Sequence, residues 1–220
     1  MGIARKLEQR LEQMVDGLSA AIFRGSVGPL ELAGRLVRQA DLQVTDGEYG
    51  PTIPNHFSVH INPKDIDLSA DLTDLEHALE RALEQEAAER GWRTGGPLKT
   101  VVVTDGSVPA GSVQCEAQPR PGLRPTWGQL IDVAGQTVHP LTDNRTTIGR
   151  SRRADVTLDL AEVSRMHAMI VRRSGSYWVA DLESSNGTAV NEDAIGTSLS
   201  ALRAGDQLSV GPARFIFRIV

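Results

Sequence analysis

The chain has 220 residues, 40% of them apolar, and a net charge of −5, so it can bury one large core or two smaller ones. Its one cysteine, Cys115, excludes an intrachain disulfide and a cysteine-based metal site. No apolar run approaches the roughly 20 residues that span a bilayer, and the first residues lack the apolar core of a signal peptide. The sequence therefore predicts a cytoplasmic protein without direct membrane insertion.

Charge is unevenly distributed along the chain. Residues 1–106 hold 11 Lys/Arg and 17 Asp/Glu, a net charge of −6. Residues 127–220 hold 10 of each sign and are neutral. A general nucleic-acid binder needs a basic face, so the acidic N-terminal half argues against a nucleic-acid partner.

The first predicted element is an amphipathic helix, since apolar residues recur at three- and four-residue steps. They are Ile3, Leu7, Leu11, Met14, Leu18 and Ile22. The opposite face mixes acids and bases, which favours packing on a core over binding to a membrane surface. Pro29 opens a second helix, because the first turn does not need its missing N–H.

The pattern then changes to short strands at residues 52–53 and 57–61. A third helix is predicted from Asp71 to Arg90, with a capping box formed by Thr73 and Glu76. Residues 98–104 read as a further strand. The order α-α-β-β-α-β predicts an N-terminal α+β domain over residues 1–105.

Residues 106–126 contain four prolines and three glycines without periodicity, which predicts a linker. From Trp127 onward, short strands alternate with turn residues every 8 to 12 positions, the pattern of an all-β sandwich over residues 127–220. In its last strand Phe215, Phe217 and Ile219 share one face, which is expected to point into the core.

Four short motifs fall in predicted loops of this sandwich, where binding residues tend to collect. They are Gly149-Arg150, Ser164-Arg165-Met166-His167, Ser185-Asn186-Gly187-Thr188 and Val190-Asn191. Ser164 follows Arg150 by 14 residues, and Asn186 follows Ser164 by 22. In this order and spacing, the motifs resemble those of the forkhead-associated (FHA) family, whose members are phosphothreonine-binding β-sandwiches.

The resemblance implies a phosphopeptide site at Arg150, Ser164, Arg165, Ser185 and Asn186. A phosphothreonine brings nearly two negative charges and three acceptor oxygens. Arg150 can meet them with its planar fork of donors, and Ser164 with its hydroxyl and backbone N–H. Asn186 can hold the peptide backbone with both ends of its amide.

Four further residues are expected to shape this site: Gly149, His167, Gly187 and Asn191. His167 can brace a loop or bind phosphate, and bracing is favoured. Asn191 can shape a turn or contribute to peptide selectivity. Gly187 is expected to adopt a positive φ after Asn186.

The sequence predicts no catalytic residues, no cofactor and no metal site. His56 and His60 have the spacing of helical metal ligands, but in a strand they lie about 13 Å apart. No glycine-rich phosphate loop of the Walker or Rossmann type is present, and no nucleophile stands beside a base. We therefore expect an adaptor and not an enzyme.

Residues 1–105 resemble the N-terminal domain, of the DUF3662 type, of actinobacterial FHA adaptors. The matching stretches are Leu7 to Phe23, Gly28 to Ala33 and Pro54 to Phe57. The resemblance implies a role in cell-wall synthesis and growth. It also implies a phosphothreonine-containing partner: a transmembrane serine/threonine kinase, its substrate or a phosphorylated pseudokinase domain. Such a partner would recruit the protein to the inner face of the membrane.

An alternative is a scaffold whose N-terminal domain binds a protein or RNA, with the FHA domain only localising it. Residues 25–28 have the GxxG form that clamps the RNA backbone in KH-like domains, which the order of helices and strands also resembles. The same glycines can simply end one helix and begin the next.

Overall fold

A computed structural model describes residues 22–25, 27–47, 50–120, 125–135, 137–173 and 175–220. The chain divides into two compact units, one containing residues 22–46 and 51–120 and the other containing residues 125–220. The helix predicted to begin at Ile3 lies outside the described residues. None of the helices in the described ranges is long and apolar enough to cross a membrane.

The first unit contains two helices and six strands within the described ranges. In chain order they are α1 (Pro29–Leu42), β1 (Thr45–Gly47), β2 (Gly50–Ile53), β3 (His56–Ile61), α2 (Thr73–Arg90), β4 (Arg93–Thr94), β5 (Lys99–Thr104) and β6 (Val113–Gln118). Strands β1, β2 and β4 form one small sheet, and β5, β3 and β6 form another, with β3 in the centre.

The start of α1 and the end of α2 lie where the sequence predicts, whereas α2 begins at Thr73, two residues after the predicted Asp71. Pro29 occupies the first turn of α1 after an extended Gly28. Gly91 ends α2 in the left-handed conformation (φ 70°), which glycine adopts without steric cost. The predicted capping box is wrong, because Thr73 lies inside the helix and its N–H donates to Asp71 Oδ1 (2.9 Å). Glu76 is engaged elsewhere.

One hydrophobic core joins both helices to the central sheet. Phe57, Val59 and Ile61 alternate along β3 and are fully buried. They pack in one cluster with apolar residues of both helices, including Leu36 and Leu79. The alternation confirms the predicted half-buried strand, whose other face carries the polar side chains.

The predicted linker requires correction, since β6 (Val113–Gln118) forms inside it. This strand pairs antiparallel with β3 along its whole length, from His56 opposite Gln118 to Ile61 opposite Val113. Its inward side chains are Val113, Cys115 and Ala117, two of them small, so the alternation is weak beside the prolines and glycines around it. The very short strands β1 and β4 also lacked a readable pattern.

The second unit is the predicted all-β sandwich. Its strands are β7 (Gly128–Asp132), β8 (Val138–Leu141), β9 (Arg145–Gly149), β10 (Val156–Thr157), β11 (Ala168–Arg173), β12 (Ser176–Asp181), β13 (Thr188–Val190), β14 (Asp193–Ile195), β15 (Ser200–Ala201), β16 (Gln207–Val210) and β17 (Ala213–Ile219). One sheet has the order β10-β9-β11-β12-β15 and the other the order β14-β13-β16-β17-β7-β8.

The sandwich core lies between the two sheets. Phe215 and Phe217 are fully buried, and Phe217 contacts Trp127 edge to face at 6.4 Å between ring centroids. Ile219, predicted to join them, is 43% exposed because β17 has there reached Gly128, the first residue of its neighbour β7. The alternation of buried side chains in β17 therefore ends at Phe217, two residues before the end of the strand.

Two glutamates of α2 close the outer edge of β5 in the first unit. Glu76 Oε1 accepts the Val102 N–H (2.9 Å), and Glu80 Oε1 accepts the Thr100 N–H (2.9 Å). An unpaired strand edge offers its N–H groups to other chains. Here carboxylates take the place of a neighbouring strand.

We expect Glu76→Ala to lower the free energy of unfolding by about 1–3 kcal/mol, because the half-buried Val102 N–H loses a charged acceptor. Glu76→Gln keeps a carbonyl acceptor and should lose less. Urea denaturation of the two variants beside wild type measures the difference. Equal stability of Glu76→Ala and wild type would show that the edge bond contributes nothing.

Candidate functional site

The site begins where β9 ends, at a glycine packed directly against a neighbouring loop. A Cβ atom on Gly149 would overlap the carbonyl oxygen of Arg165. The close approach lets the Arg150 N–H donate to Ser164 O (2.9 Å) and the Ser151 N–H donate to Arg165 O (3.1 Å). Only glycine permits this distance between the two backbones, so the motif glycine brings Arg150 beside Ser164.

The Arg150 side chain is exposed but held on one side. Its Nε donates to the carbonyl oxygen of Val163 (3.2 Å), and among the described residues its terminal nitrogens have no hydrogen-bond partner. The bond restricts the rotation of the guanidinium and leaves its two-nitrogen fork for a ligand. Such a fork matches the geometry of a phosphate group.

Ser164 is half-buried and has its backbone N–H already engaged. That N–H donates to His167 Nδ1 (3.1 Å), while the hydroxyl oxygen accepts the Ser185 N–H (3.0 Å). The sequence predicted both the hydroxyl and the N–H as phosphate donors, and the structure leaves only the hydroxyl hydrogen for that purpose.

His167 lies at the centre of the site with no exposed surface. A backbone N–H can only donate, so Nδ1 is the acceptor for Ser164 and carries no hydrogen. Nε2 is therefore the protonated nitrogen, and it donates to the Gly187 carbonyl oxygen (2.9 Å). The ring joins the Ser164 loop to the Gly187 loop, which is the geometry of a bracing residue.

The loop between β12 and β13 presents Ser185 and Asn186 at the surface. Asn186 Nδ2 donates to the carbonyl oxygen of Glu162 (2.7 Å). One end of the amide is therefore engaged within the protein, and Oδ1 is the end left for a peptide N–H. Gly187 follows with φ 74°, the left-handed conformation expected for this glycine.

Several exposed arginines lie on the loops at this end of the sandwich. Arg165 is exposed beside Ser164, and only its carbonyl oxygen is engaged among the described residues. Arg152 and Arg153 are exposed in the loop after Arg150. These arginines can attract an anion at short range, beside acidic residues that are also exposed on the same loops.

The structure does not bring Asn191 to these residues. It occupies the turn at the far end of β13, with φ 50°. Its side chain donates to Asp206 Oδ1 (2.8 Å) and accepts the Gln207 N–H (2.9 Å). This placement fits the turn-shaping alternative and gives Asn191 no contact with the other eight predicted residues.

Sequence reasoning missed the residue that holds the loop between β12 and β13. Asp181, only 7% exposed, accepts hydrogen bonds from Ser184 and Thr188. Burial acts to raise its pKa, but the hydrogen bonds of Ser184 and Thr188 outweigh burial, so the pKa lies below its usual value. The available signal was the Asp-x-x-Ser turn pattern directly after a strand.

Two of the described residues of the GxxG segment, Gly25 and Val27, have close neighbours in the first unit. A Cβ on Gly25 would overlap the carboxylate of Asp65, and Val27 is 2% exposed. Asp65 in turn accepts the Gly111 N–H (2.7 Å). An acidic neighbour and a buried middle residue do not suit a clamp for RNA phosphates, so the two glycines have packing and helix-start roles.

Comparisons with known proteins match both halves of the chain. The family described as "FhaA, N-terminal domain" matches residues 4–116, and the family described as "FHA domain" matches residues 146–211. The transcriptional regulatory protein EmbR of Mycobacterium tuberculosis is 39% identical over 90 residues, covering 41% of this chain and 23% of EmbR. The oxoglutarate dehydrogenase inhibitor of Corynebacterium diphtheriae is 40% identical over 72 residues, covering 33% and 49%.

Among solved structures, the FhaA FHA domain complexed with the intracellular domain of Rv3910 is 29% identical, with a TM-score of 0.39. The match covers 41% of this chain and 99% of that one. The present chain thus covers less than a quarter of EmbR and about half of the inhibitor.

Gly149→Ala should displace the Ser164–Arg165 loop and destabilise the protein by about 1–3 kcal/mol, since the methyl group meets backbone that can only move away. Gly196→Ala is the matched control, because a Cβ there meets nothing within 4 Å. Thermal and urea unfolding of both variants test the difference. Two equally stable variants would rule out the close approach.

Asp181 should make stability pH-dependent in the acid range. Its folded-state pKa is lowered, whereas an aspartate in the unfolded chain has a pKa of about 3.9. Its stabilisation is therefore complete above that value and is lost as pH falls through the folded pKa. In urea titrations from pH 7 to pH 3, the stability gap between wild type and Asp181→Asn should narrow. A constant gap would contradict the shift.

Proposed function

Because the chain belongs to the FhaA N-terminal domain family and carries an FHA domain as well, we propose that it is a phosphothreonine-binding signalling adaptor. The ligand is a phosphorylated segment of a protein partner. The FHA domain reads the phosphothreonine, and the N-terminal unit supplies the second contact through which the adaptor acts.

The observation that carries this proposal is the set of unengaged donors on adjoining loops. The Arg150 fork is anchored through Nε, the Ser164 hydroxyl hydrogen is free to donate, and the exposed Ser185 hydroxyl lies in the adjoining loop. A phosphate dianion is acceptor-only with three oxygens. Charge-assisted bonds to such a group are about twice as strong as neutral ones.

Asn186 adds recognition of the peptide rather than of the phosphate. Its Nδ2 is bound to Glu162 O, so Oδ1 points the acceptor end of a fixed amide toward solvent. A peptide N–H next to the phosphothreonine can donate to it. The preference for phosphothreonine over phosphoserine, which the family resemblance implies, requires an additional contact to the threonine methyl group.

The partner is a protein phosphorylated on threonine in a serine/threonine kinase pathway. It can be a transmembrane kinase, a kinase substrate or a phosphorylated pseudokinase domain, and the first or last would bring a cytoplasmic adaptor to the inner face of the membrane. A link to cell-wall synthesis and growth is part of the proposal.

An adaptor role rather than an enzymatic one fits the composition of the site. The printed names of the two relatives describe a transcriptional regulator and an inhibitor, and the descriptions of the two matched families name no catalytic activity. The groups left without a partner within the described residues, the Arg150 fork and the Ser164 hydroxyl hydrogen, are donors suited to binding an anion. A nucleophile with a base in reach is what an enzyme of this size would need.

Arg150→Ala should weaken phosphopeptide binding by about 2–5 kcal/mol, because it removes the fork that meets the phosphate charge. We would screen the full chain against degenerate peptides containing phosphothreonine, phosphoserine or unmodified threonine. Wild type should select phosphothreonine peptides only, and Arg150→Ala should lose them.

Arg218→Ala is the charge-matched control, since Arg218 is an exposed arginine on β17 outside the loops of the site. It should bind like wild type. If Arg150→Ala also binds like wild type, the phosphate does not meet Arg150 and the site is misassigned. If wild type selects no phosphopeptide, the proposed function is wrong.

A further inference from the structure

We propose that Asp181 is a positioning residue of the phosphothreonine site. It anchors a circuit of linked hydrogen bonds that aims the Ser164 hydroxyl at the ligand. This inference rests on the proposed function. Asp181 itself touches no ligand, because it is buried at the end of β12 behind the loop that carries Ser185 and Asn186.

The circuit starts at the two carboxylate oxygens of Asp181. Oδ1 accepts the Ser184 N–H (2.8 Å), and Oδ2 accepts the hydroxyls of Ser184 (2.6 Å) and Thr188 (2.6 Å). All three partners donate. The carboxylate therefore ties the first residues of the loop to the first residue of β13 from one point, with bonds of the charge-assisted kind.

The Ser184 hydroxyl links Asp181 to Gly187. Its hydroxyl hydrogen is committed to Asp181, so its oxygen can only accept on the other side, where the Gly187 N–H donates to it (3.0 Å). The turn from Ser184 to Gly187 is thereby closed on itself. The peptide group of Gly187 takes one orientation, with its carbonyl directed to His167.

His167 links Gly187 to the loop that carries Ser164. The Gly187 carbonyl accepts Nε2–H (2.9 Å), which leaves Nδ1 to accept the Ser164 N–H (3.1 Å). The Ser185 N–H completes the circuit by donating to Ser164 Oγ (3.0 Å). Because Ser164 Oγ already accepts one hydrogen from this side, its own hydrogen is available for an acceptor outside, where the phosphate would lie.

Each polar group in this circuit has only one possible direction. Asp181 and His167 are the buried members of this circuit, and linked hydrogen bonds polarise one another, so an error at one point affects the next. An amide at position 181 cannot replace the carboxylate. Placed at Oδ1, its NH₂ meets the Ser184 N–H, and placed at Oδ2 it meets two hydroxyl donors. Either arrangement leaves a donor without an acceptor.

The test uses the full chain and the tightest phosphothreonine peptide that wild type selects from a degenerate library, labelled with fluorescein. Asp181→Asn and Ser184→Ala should each weaken binding by at least about tenfold, the effect of losing one hydrogen bond to a charged group. Ser184→Thr keeps the hydroxyl and should stay within about threefold of wild type. Anisotropy at pH 7 gives the Kd values.

Asp206→Asn is the matched control. Asp206 accepts two hydrogen bonds, from Asn191 Nδ2 (2.8 Å) and the Arg203 N–H (2.7 Å), outside the loops of the site. It should lose stability in urea but keep its Kd. In ¹⁵N–¹H spectra, Asp181→Asn should shift the amides of Ser185 and Gly187, which Asp181 does not contact directly.

The outcomes separate this inference from the function on which it rests. If wild type selects no phosphothreonine peptide, the function fails first and the inference with it. If wild type binds and Asp181→Asn binds within twofold, the positioning role is wrong while the function stands. If Asp181→Asn does not fold, the Ser184 pair decides, and equal binding by Ser184→Ala and Ser184→Thr would overturn the circuit.

Discussion

The buried ring of His167 is the contact on which the site depends. Its two nitrogens join the N–H of Ser164 to the carbonyl oxygen of Gly187, which are 23 residues apart in the chain. A sandwich holds its strands by ladders of backbone bonds, but its loops have no such ladder. Here one imidazole supplies the missing connection in a fully enclosed position, where each hydrogen bond is expensive to leave unmade.

The surrounding backbone makes the site rigid before any ligand arrives. Gly149 allows its strand end to approach Arg165 closely. The two resulting backbone bonds, from Arg150 to Ser164 and from Ser151 to Arg165, align two loops at the end of one sheet. Binding a peptide therefore requires little ordering of the protein. The loss of conformational entropy on binding falls mainly on the peptide, so a rigid set of donors binds it more tightly than a flexible set would.

The sequence predicted the elements that depend on local pattern and missed those that depend on tertiary context. Arg150, Ser164, His167 and Asn186 were predicted to form one site because their motif spacing is specific, and their loops are hydrogen-bonded to one another. Strand β6 was missed because its inward residues include Cys115 and Ala117, whose small side chains give almost no alternation signal. The engagement of the Ser164 N–H by His167 could not be read either, since a three-residue spacing in a loop does not determine which groups meet.

Asp181 illustrates the same limit for chemistry. An aspartate at the end of a strand usually caps a turn, and the sequence cannot tell whether its carboxylate stays with that turn or extends its effect to a binding site. The answer lies in donor and acceptor directions. A carboxylate only accepts, so the hydroxyls of Ser184 and Thr188 must donate to it. That single fact commits the Ser184 hydroxyl hydrogen to Asp181, so that the Ser184 oxygen accepts the Gly187 N–H.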